Sequence, residues 1–183
     1  LSKELRYLEQ VVTNPEYPFV VILGGAKILD KIVVVERLIE QADCVLVGGA
    51  MANTFMKASG IEVSESLVEN GAIDIASQLL ARAGDKLILP KDVIVADAME
   101  VGAKKRCITV EHGVDVGYRI VDVGPETVKL FGKYITDAKM ILWNGPMGAF
   151  EISDFACGTN DIACRVAYSE AVSIVGGGDS AAA

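Results

Sequence analysis

Short, unbroken runs of apolar residues alternate along this chain with longer segments of helical periodicity. Runs such as 19–23, 44–47 and 140–143 contain no charged residue, which is typical of strands that are buried on both faces. Strands of this kind, separated by helices, form parallel sheets through right-handed crossover connections. The sequence therefore predicts a doubly wound, Rossmann-like α/β fold with a mostly parallel sheet and helices on both faces.

The predicted strands cover 19–23, 44–47, 86–89, 93–96, 107–110, 120–123, 140–143 and 172–175. Apolar residues three and four positions apart predict helices over 30–41, 66–83, 125–136 and 159–169. Asp30 and Thr159 are the expected N-caps of two of these helices, and Gly84 is the expected end of a third. Too little chain separates the third and fourth strands for a crossover helix, so we expect 86–96 to be one bent or interrupted strand. We expect a single domain over residues 1–183, with a small β excursion at 97–119.

Composition excludes several classes of protein. With 17 Lys and Arg against 25 Asp and Glu in 183 residues, the net charge is −8, which argues against a nucleic-acid partner. No apolar run reaches the roughly 20 residues that cross a bilayer, so we expect a cytoplasmic protein with no membrane partner. The four cysteines form no CxxC pair and there is one His, so we expect reduced, buried thiols rather than a metal site. The first residues lack an initiator Met and an apolar signal segment, and we expect this chain to be part of a longer one.

Four of the predicted strands run directly into glycine-containing turns. These turns are Gly24-Gly25-Ala26, Gly48-Gly49, Asn144-Gly145-Pro146 and Gly176-Gly177-Gly178-Asp179. In an open α/β sheet, ligands bind beyond the carboxyl ends of the strands, and a glycine there lets the backbone approach a ligand closely. One glycine after a strand is more often only a tight turn, but four together favour a ligand with anionic and planar parts, such as a nucleotide.

Two lysines follow the first glycine turn. Lys27 and Lys31 lie one helical turn apart, with Asp30 between them, and together with the amides of the helix N-terminus they would hold phosphate oxygens. The spacing matches neither a Walker A loop nor GxGxxG. Asp179 follows the last glycine turn, where it is either a Mg²⁺ ligand, directly or through water, or the N-cap of a helix over 180–183.

Five longer motifs occur in order along the chain: LGGAKxxDK, VGGAM, WNGPMGAFE, FACGT and VGGGDSAAA. Together with the NPEYPF segment at 14–19, they resemble the carboxyl-terminal, nucleotide-binding half of phosphoglycerate kinase over essentially the whole chain. The resemblance implies an enzyme of glycolysis and gluconeogenesis that transfers a phosphoryl group between MgATP and 3-phosphoglycerate, giving 1,3-bisphosphoglycerate and MgADP. It also implies ATP or ADP with Mg²⁺ as ligands of this half, with 3-phosphoglycerate bound only by the full-length enzyme, which is expected to be monomeric.

The resemblance implies roles for individual residues. In the family the first lysine steadies the transferring phosphoryl group, here Lys27, and the second binds the nucleotide phosphates, here Lys31. Asn144 is implied to lie near the phosphates, Glu151 to bind the ribose hydroxyls, and Asp179 to coordinate Mg²⁺. The other residues expected around the nucleotide are Gly24, Gly25, Ala26, Asp30, Gly48, Gly49, Gly145, Pro146, Met147, Phe150 and Ser180.

The chain departs from the family pattern in several ways. The family's amino-terminal half binds 3-phosphoglycerate, and a second glycine-rich helix N-terminus follows GGGDSAAA in the family; neither is in this sequence. We therefore expect this chain alone to bind nucleotide without turnover. Ile120 stands where Gly is frequent before the DxGP turn, Ala50 where a third Gly is frequent, and Ser180 where Thr is usual.

Two other hypotheses remain open. A dinucleotide-binding oxidoreductase domain would need an acidic residue at the end of the second strand, where Gly48 and Gly49 stand instead. A non-catalytic docking fragment would expose apolar sheet surface, and would aggregate or pair with a partner.

Overall fold

The computed structural model describes residues 14–178 and 180. Within them, the strands are β1 (Phe19–Leu23), β2 (Cys44–Val47), β3 (Leu87–Ile88), β4 (Asp92–Ala96), β5 (Lys105–Thr109), β6 (Arg119–Val123), β7 (Met140–Asn144) and β8 (Val172–Gly176). The α-helices are α1 (Ile32–Gln41), α2 (Gly49–Ala58), α3 (Ile73–Ala83), α4 (Pro125–Asp137) and α5 (Cys157–Tyr168). The strands agree with those predicted to within about two residues at each end.

The main sheet of the described residues is parallel, with the strand order β3-β2-β1-β7-β8. β1 lies at its centre, with β2 and β3 on one side and β7 and β8 on the other. Ile22 of β1 is in register with Leu46 of β2 and with Trp143 of β7, so these three strands end side by side. The strand order changes direction between β1 and β7, and ligands bind at such a switch point. The predicted doubly wound α/β fold is confirmed.

Helices cover both faces of the main sheet. Val21 of β1 belongs to a core that includes Phe55 of α2, and the next residue, Ile22, belongs to a second core that includes Phe131 of α4. Every residue of β1 is buried, which explains why the central strands have no polar alternation. β8 differs because it is an edge strand, and its Val172 remains 54% exposed.

Residues 92–123 contribute a second sheet, and this corrects the prediction of one bent or interrupted strand over 86–96. β4 pairs antiparallel with both β5 and β6, in the order β5-β4-β6. The segment 86–96 is therefore two strands in two different sheets, not one bent strand. β4 and β6 resemble strands of a parallel sheet in sequence because they are buried against α2, α4 and α5.

Two helix boundaries also differ from the prediction. The sequence patterns do not predict α2, because residues 51–56 are all buried and so show no amphipathic period. The helix predicted over 66–83 begins only at Ile73, since Ser66 and Leu67 are held in a loop: the Ser66 hydroxyl accepts the Ile120 amide at 2.9 Å, and the Leu67 carbonyl accepts a side-chain donor.

Both predicted N-caps are wrong. The residue before α1 is Lys31, and the residue before α5 is Ala156; neither helix has a side-chain cap hydrogen bond. Thr159 instead uses its hydroxyl to accept the Met147 amide at 3.0 Å. The predicted C-cap, Gly84, does follow the last residue of α3.

The cysteines are free thiols. Cys44 is buried, as predicted, and burial raises the pKa of its thiol to about 12. The prediction of buried thiols is wrong for Cys107, Cys157 and Cys164, which are exposed. In the described part of the chain, no group of three or more His, Cys, Asp or Glu residues is placed to hold a metal ion. Across residues 14–178 and 180, we find no helix with the length and hydropathy required of a membrane span.

Candidate functional site

The turns that follow β1, β2 and β7 are bonded to one another at the switch point. The Gly24 amide, after β1, donates to the Asn144 carbonyl of β7 at 2.8 Å. The Gly49 amide, after β2, donates to the Met147 carbonyl at 3.0 Å. Three of the glycine turns found in the sequence therefore form one continuous structure.

Glycine is required here because the turns touch through their backbones. A Cβ on Gly24 would lie 2.1 Å from the Pro146 carbonyl oxygen, and one on Gly49 would lie 2.7 Å from the same oxygen. Gly145 has a φ of +96°, which glycine adopts without strain. The amides of Gly24, Gly25 and Gly49 already donate to backbone carbonyls, so these glycines shape the floor of a crevice rather than offering amides to a ligand.

A cavity of about 370 Å³ opens beside these turns, and we call it the lysine cavity. Its polar wall is formed by Lys27, Asp30, Lys31, Asn144 and Ser180. The Lys31 ammonium donates to Asn144 Oδ1 at 2.5 Å, which joins the start of α1 to the end of β7. The Lys27 side chain is 71% exposed, and its ammonium lies 3.8 Å from the Asp30 carboxylate. Because solvent screens this pair, Lys27 can exchange Asp30 for an anionic ligand at little cost.

A carboxylate accepts hydrogen bonds from two backbone amides that shortly precede α1. Glu69 Oε2 accepts the Ile28 amide at 2.5 Å and the Leu29 amide at 3.3 Å. These are the amides on which a phosphate would otherwise sit. These two amides are therefore already bonded to Glu69, while the Lys27 and Lys31 side chains line the cavity; that helix amides and lysines together hold a phosphate stays a prediction.

A second cavity, of about 470 Å³, adjoins the first, and we call it the Glu151 cavity. Its lining includes Gly49, Ala50, Asn53, Leu67, Met99, Ile120, Asp122, Met147, Phe150 and Glu151. The two cavities share Gly25, Ala26 and Pro146, so they are two compartments of one crevice. The first compartment has cationic side chains, and the second is mostly apolar with an exposed carboxylate. Such a pair can take an anionic group and a planar ring attached to it.

Asp122 supports the wall of the Glu151 cavity. Its Oδ2 accepts the Gly158 amide at 2.7 Å, and its Oδ1 accepts the Val123 amide at 2.9 Å. A Cβ on Gly148 would lie 2.6 Å from Oδ1, so the carboxylate also packs against the turn that leads to Glu151. Burial raises the pKa of Asp122 to about 7, although the two amide donors act in the opposite direction.

The structure brings most of the predicted site residues together. Those lining the lysine cavity are Gly25, Ala26, Lys27, Asp30, Lys31, Asn144, Gly145, Pro146 and Ser180, and those lining the Glu151 cavity are Gly49, Met147, Phe150 and Glu151. Gly24 and Gly48 line neither cavity, and a Cβ on Gly48 would lie 2.5 Å from the Met147 sulfur. Ser180 Oγ accepts the Gly145 amide at 2.6 Å. Asp179, the predicted Mg²⁺ ligand, lies outside the described residues.

Three polar residues at the site are missed by the sequence analysis: Asn53, Glu69 and Asp122. Asn53 lies within an apolar helix, and Asp122 lies between two valines. A polar residue inside an otherwise apolar segment could therefore have marked both of them in the sequence. No sequence signal marks Glu69, because its contact with Ile28 spans 41 positions.

Comparison with known proteins identifies the family. The family model for phosphoglycerate kinase matches residues 1–183. A phosphoglycerate kinase of Rubrobacter xylanophilus is 52% identical over 183 residues, which cover all of this chain and 46% of that protein. A phosphoglycerate kinase of Pseudothermotoga lettingae is 46% identical over 186 residues, covering all of this chain and 47% of that protein.

Solved structures agree with this result. Phosphoglycerate kinase from Coxiella burnetii matches with a TM-score of 0.91 and 42% identity, over 99% of this chain and 48% of that one. The enzyme from Pyrococcus horikoshii matches with a TM-score of 0.84 and 31% identity, over 98% of this chain and 46% of that one. This chain spans about half the length of the relatives it matches. Since the family model covers the chain from its first residue to its last, the chain belongs to the phosphoglycerate kinase family.

Proposed function

We propose that this chain is the part of a phosphoglycerate kinase that binds MgADP or MgATP. The observation that carries the proposal is the two-compartment crevice at the switch point, with Lys27, Lys31 and Asn144 in one compartment and Glu151 in the other. Membership of the family supports the reaction of the whole enzyme. That reaction is phosphoryl transfer between MgATP and 3-phosphoglycerate, giving 1,3-bisphosphoglycerate and MgADP.

The lysine cavity would hold the phosphates. Lys31 is already positioned by its hydrogen bond to Asn144, whereas the exposed Lys27 can follow a phosphoryl group as it moves. Phosphoryl transfer depends on positioning and on stabilisation of negative charge, and it needs no nucleophile from the protein. Lys27 and Asn144 are therefore the proposed catalytic residues, and Lys31 is the proposed ligand of the nucleotide phosphates.

The Glu151 cavity would hold the adenine and the ribose. Its wall is mostly apolar, which suits the faces of a planar base. Glu151 is exposed, and its carboxylate can accept hydrogen bonds from the two ribose hydroxyls. Because Gly25, Ala26 and Pro146 line both cavities, a nucleotide would cross these residues between its ribose and its phosphates.

Mg²⁺ would be held mainly by the nucleotide. A nucleotide-bound Mg²⁺ takes one or two carboxylates in addition to phosphate oxygens and water. Asp179 is the proposed carboxylate, since it follows Gly178, which lines the lysine cavity. The bound ion would neutralise part of the phosphate charge, in addition to the contribution of the two lysines.

The nucleotide proposal is tested by calorimetric titration with MgADP. We expect Lys31→Ala to weaken binding roughly 10- to 150-fold, because a charge-assisted contact contributes about 1.5 to 3 kcal/mol. Lys133→Ala, an exposed lysine of α4 that lines neither cavity, is the matched control and should bind like the wild type. Unchanged affinity in Lys31→Ala, or binding of NAD as tight as that of MgADP, would contradict the proposal.

The proposed lack of turnover is tested separately. In the described residues, Lys27 and Lys31 are the basic side chains of the crevice, and both are assigned to the nucleotide. We therefore expect the chain, mixed with MgATP and 3-phosphoglycerate, to form no 1,3-bisphosphoglycerate in a coupled assay. Formation of the product by the pure chain would show that the chain itself binds the second substrate.

A further inference from the structure

The segment 26–29 contains Lys27 and joins the glycines after β1 to Lys31. Side-chain packing holds little of it: the Lys27 side chain is 71% exposed and Leu29 is 40% exposed, whereas Ile28 is completely buried. One buried side chain anchors the segment at a single point. Hydrogen bonds to the backbone are needed to fix the residues on either side of that point, so the partners of these amides determine where Lys27 can reach.

The carboxylate of Glu69 makes these backbone contacts. Its Oε2 accepts the Ile28 amide at 2.5 Å and the Leu29 amide at 3.3 Å. Hydrogen bonds to an ionised carboxylate are roughly twice as strong as neutral ones, and here one carboxylate bonds two consecutive residues. Glu69 therefore fixes the backbone directly after Lys27.

Glu69 is itself anchored to α2. Its backbone amide donates to the hydroxyl of Thr54 at 3.1 Å, and that hydroxyl donates to the Ala50 carbonyl at 3.4 Å. Thr54 is fully buried, so water does not compete for its hydroxyl, and such a bond is stronger than one in solvent. Since α2 begins at Gly49, in the turn after β2, this network connects the backbone after Lys27 to a helix that starts at the crevice.

We propose that Glu69 is a positioning residue, which holds the segment 26–29 so that Lys27 stays directed toward the phosphates of a nucleotide in the lysine cavity. This rests on the proposed function, because Lys27 has a phosphate to contact only if that cavity binds one. Glu69 lines neither cavity, whereas Lys27 lines the lysine cavity. The charge of Glu69 by itself disfavours a bound phosphate, since both are negative. A favourable effect of Glu69 on binding therefore has to come from the position of Lys27.

The experiment measures binding of MgADP and of magnesium pyrophosphate to the whole chain by calorimetry. Glu69→Gln keeps an oxygen that can accept both amides, whereas Glu69→Ala has no acceptor. Both variants lack the charge, so a difference between them reports the hydrogen bonds. We expect Glu69→Ala to bind both ligands about 10-fold more weakly than the wild type, the size of one partly lost charge-assisted contact, and Glu69→Gln to bind within about 3-fold.

Two further measurements separate positioning from a general loss of structure. Asn70→Ala, which alters the neighbouring exposed Asn bonded to Lys57, is the matched control and should bind like the wild type. Hydrogen exchange of the Ile28 amide needs no ligand. We expect this amide to exchange about 10-fold faster in Glu69→Ala and to stay protected in Glu69→Gln.

The outcomes distinguish the inference from the proposed function. Wild-type affinity in Glu69→Ala, or equal losses in the Ala and Gln variants, would overturn the inference and leave the proposed function intact. Tighter binding by Glu69→Ala would also overturn it, because the carboxylate would then compete with phosphates for the two amides. If the wild type binds neither ligand, the proposed function fails and the inference fails with it.

A further variant covers the case in which Glu69→Ala does not fold. Glu69→Asp keeps the charge but is one methylene shorter, so it cannot reach both amides from the same backbone position. We expect it to bind MgADP several-fold more weakly than Glu69→Gln does, roughly 3- to 10-fold. Wild-type affinity in Glu69→Asp together with weak binding by Glu69→Gln would show that the charge matters and the positioning does not.

Discussion

Gly24→Ala is expected to destabilise the chain by about 4 kcal/mol and to abolish MgADP binding. The added methyl group would lie 2.1 Å from the Pro146 carbonyl oxygen and 2.5 Å from that of Gly145. Both are backbone atoms of the turn after β7, which cannot rotate away as a side chain can. The Gly24 amide is also bonded to Asn144, so the turn after β1 cannot move aside without losing that bond. The turns after β1 and β7, which lie between the two cavities, would therefore move apart.

Urea unfolding and calorimetry with MgADP measure the two effects of Gly24→Ala. Gly71→Ala is the matched control, because a Cβ there meets only Leu29 Cδ1, at an ordinary 3.8 Å. We expect this control to stay within about 0.5 kcal/mol of the wild type and to bind normally. A Gly24→Ala chain with wild-type stability and affinity would contradict the direct backbone contact between the turns.

The free energy of unfolding is expected to fall as the pH rises from about 4 to about 7, because of Asp122. Burial raises the pKa of this carboxyl from 3.8 to about 7 in the folded chain, whereas in the unfolded chain it returns to its ordinary value. The folded chain therefore binds the proton more tightly than the unfolded chain does. This stabilisation is complete below about pH 4 and is lost as the pH rises through about 7, and it is on the order of 4 kcal/mol.

Asp122→Asn removes this titration. The amide has one acceptor for the two donors, Val123 and Gly158, so the variant is expected to be less stable at low pH. Its free energy of unfolding, measured in urea between pH 5 and 8, should change less with pH than that of the wild type. Asp137→Asn, an exposed position at the end of α4, should keep the wild-type slope. The same slope in Asp122→Asn and the wild type would show that the buried carboxyl does not titrate in this range.

The main sheet could be predicted from sequence because its strands are buried on both faces. β1, β2 and the first four residues of β7 are all apolar, and such runs separated by helices have few other arrangements. The second sheet could not be predicted in the same way, since β4 and β6 also contain apolar runs, 93–96 and 119–123 apart from its charged residues, but pair antiparallel. What distinguishes them is tertiary contact: Asp92 of β4 accepts the Thr127 amide at 2.7 Å and so joins this sheet to the start of α4.

The candidate site could be predicted in outline because glycines after strands and lysines after a glycine turn are local signals. Lys27 and Lys31 lie where those signals place them, beside Asn144 in one cavity. The role of the glycines was harder to predict, because Gly24 makes room for the backbone of another turn rather than for a ligand. The Glu69 carboxylate accepts a backbone amide for which the sequence alone indicates no partner. The two residues are 41 positions apart, and a contact between such distant residues has no local signal.

The central claim is that one nucleotide binds across both cavities, and amide chemical shifts recorded during a titration of the isotopically labelled chain with MgADP test it most directly. We predict saturable shifts for the amides that line the crevice, among them Ala26, Lys27, Gly49 and Glu151. The amides around Cys164 and Tyr168, which border a separate surface depression, should not move. Shifts confined to that depression, or no shifts at millimolar MgADP, would contradict the assignment of the crevice as the nucleotide site.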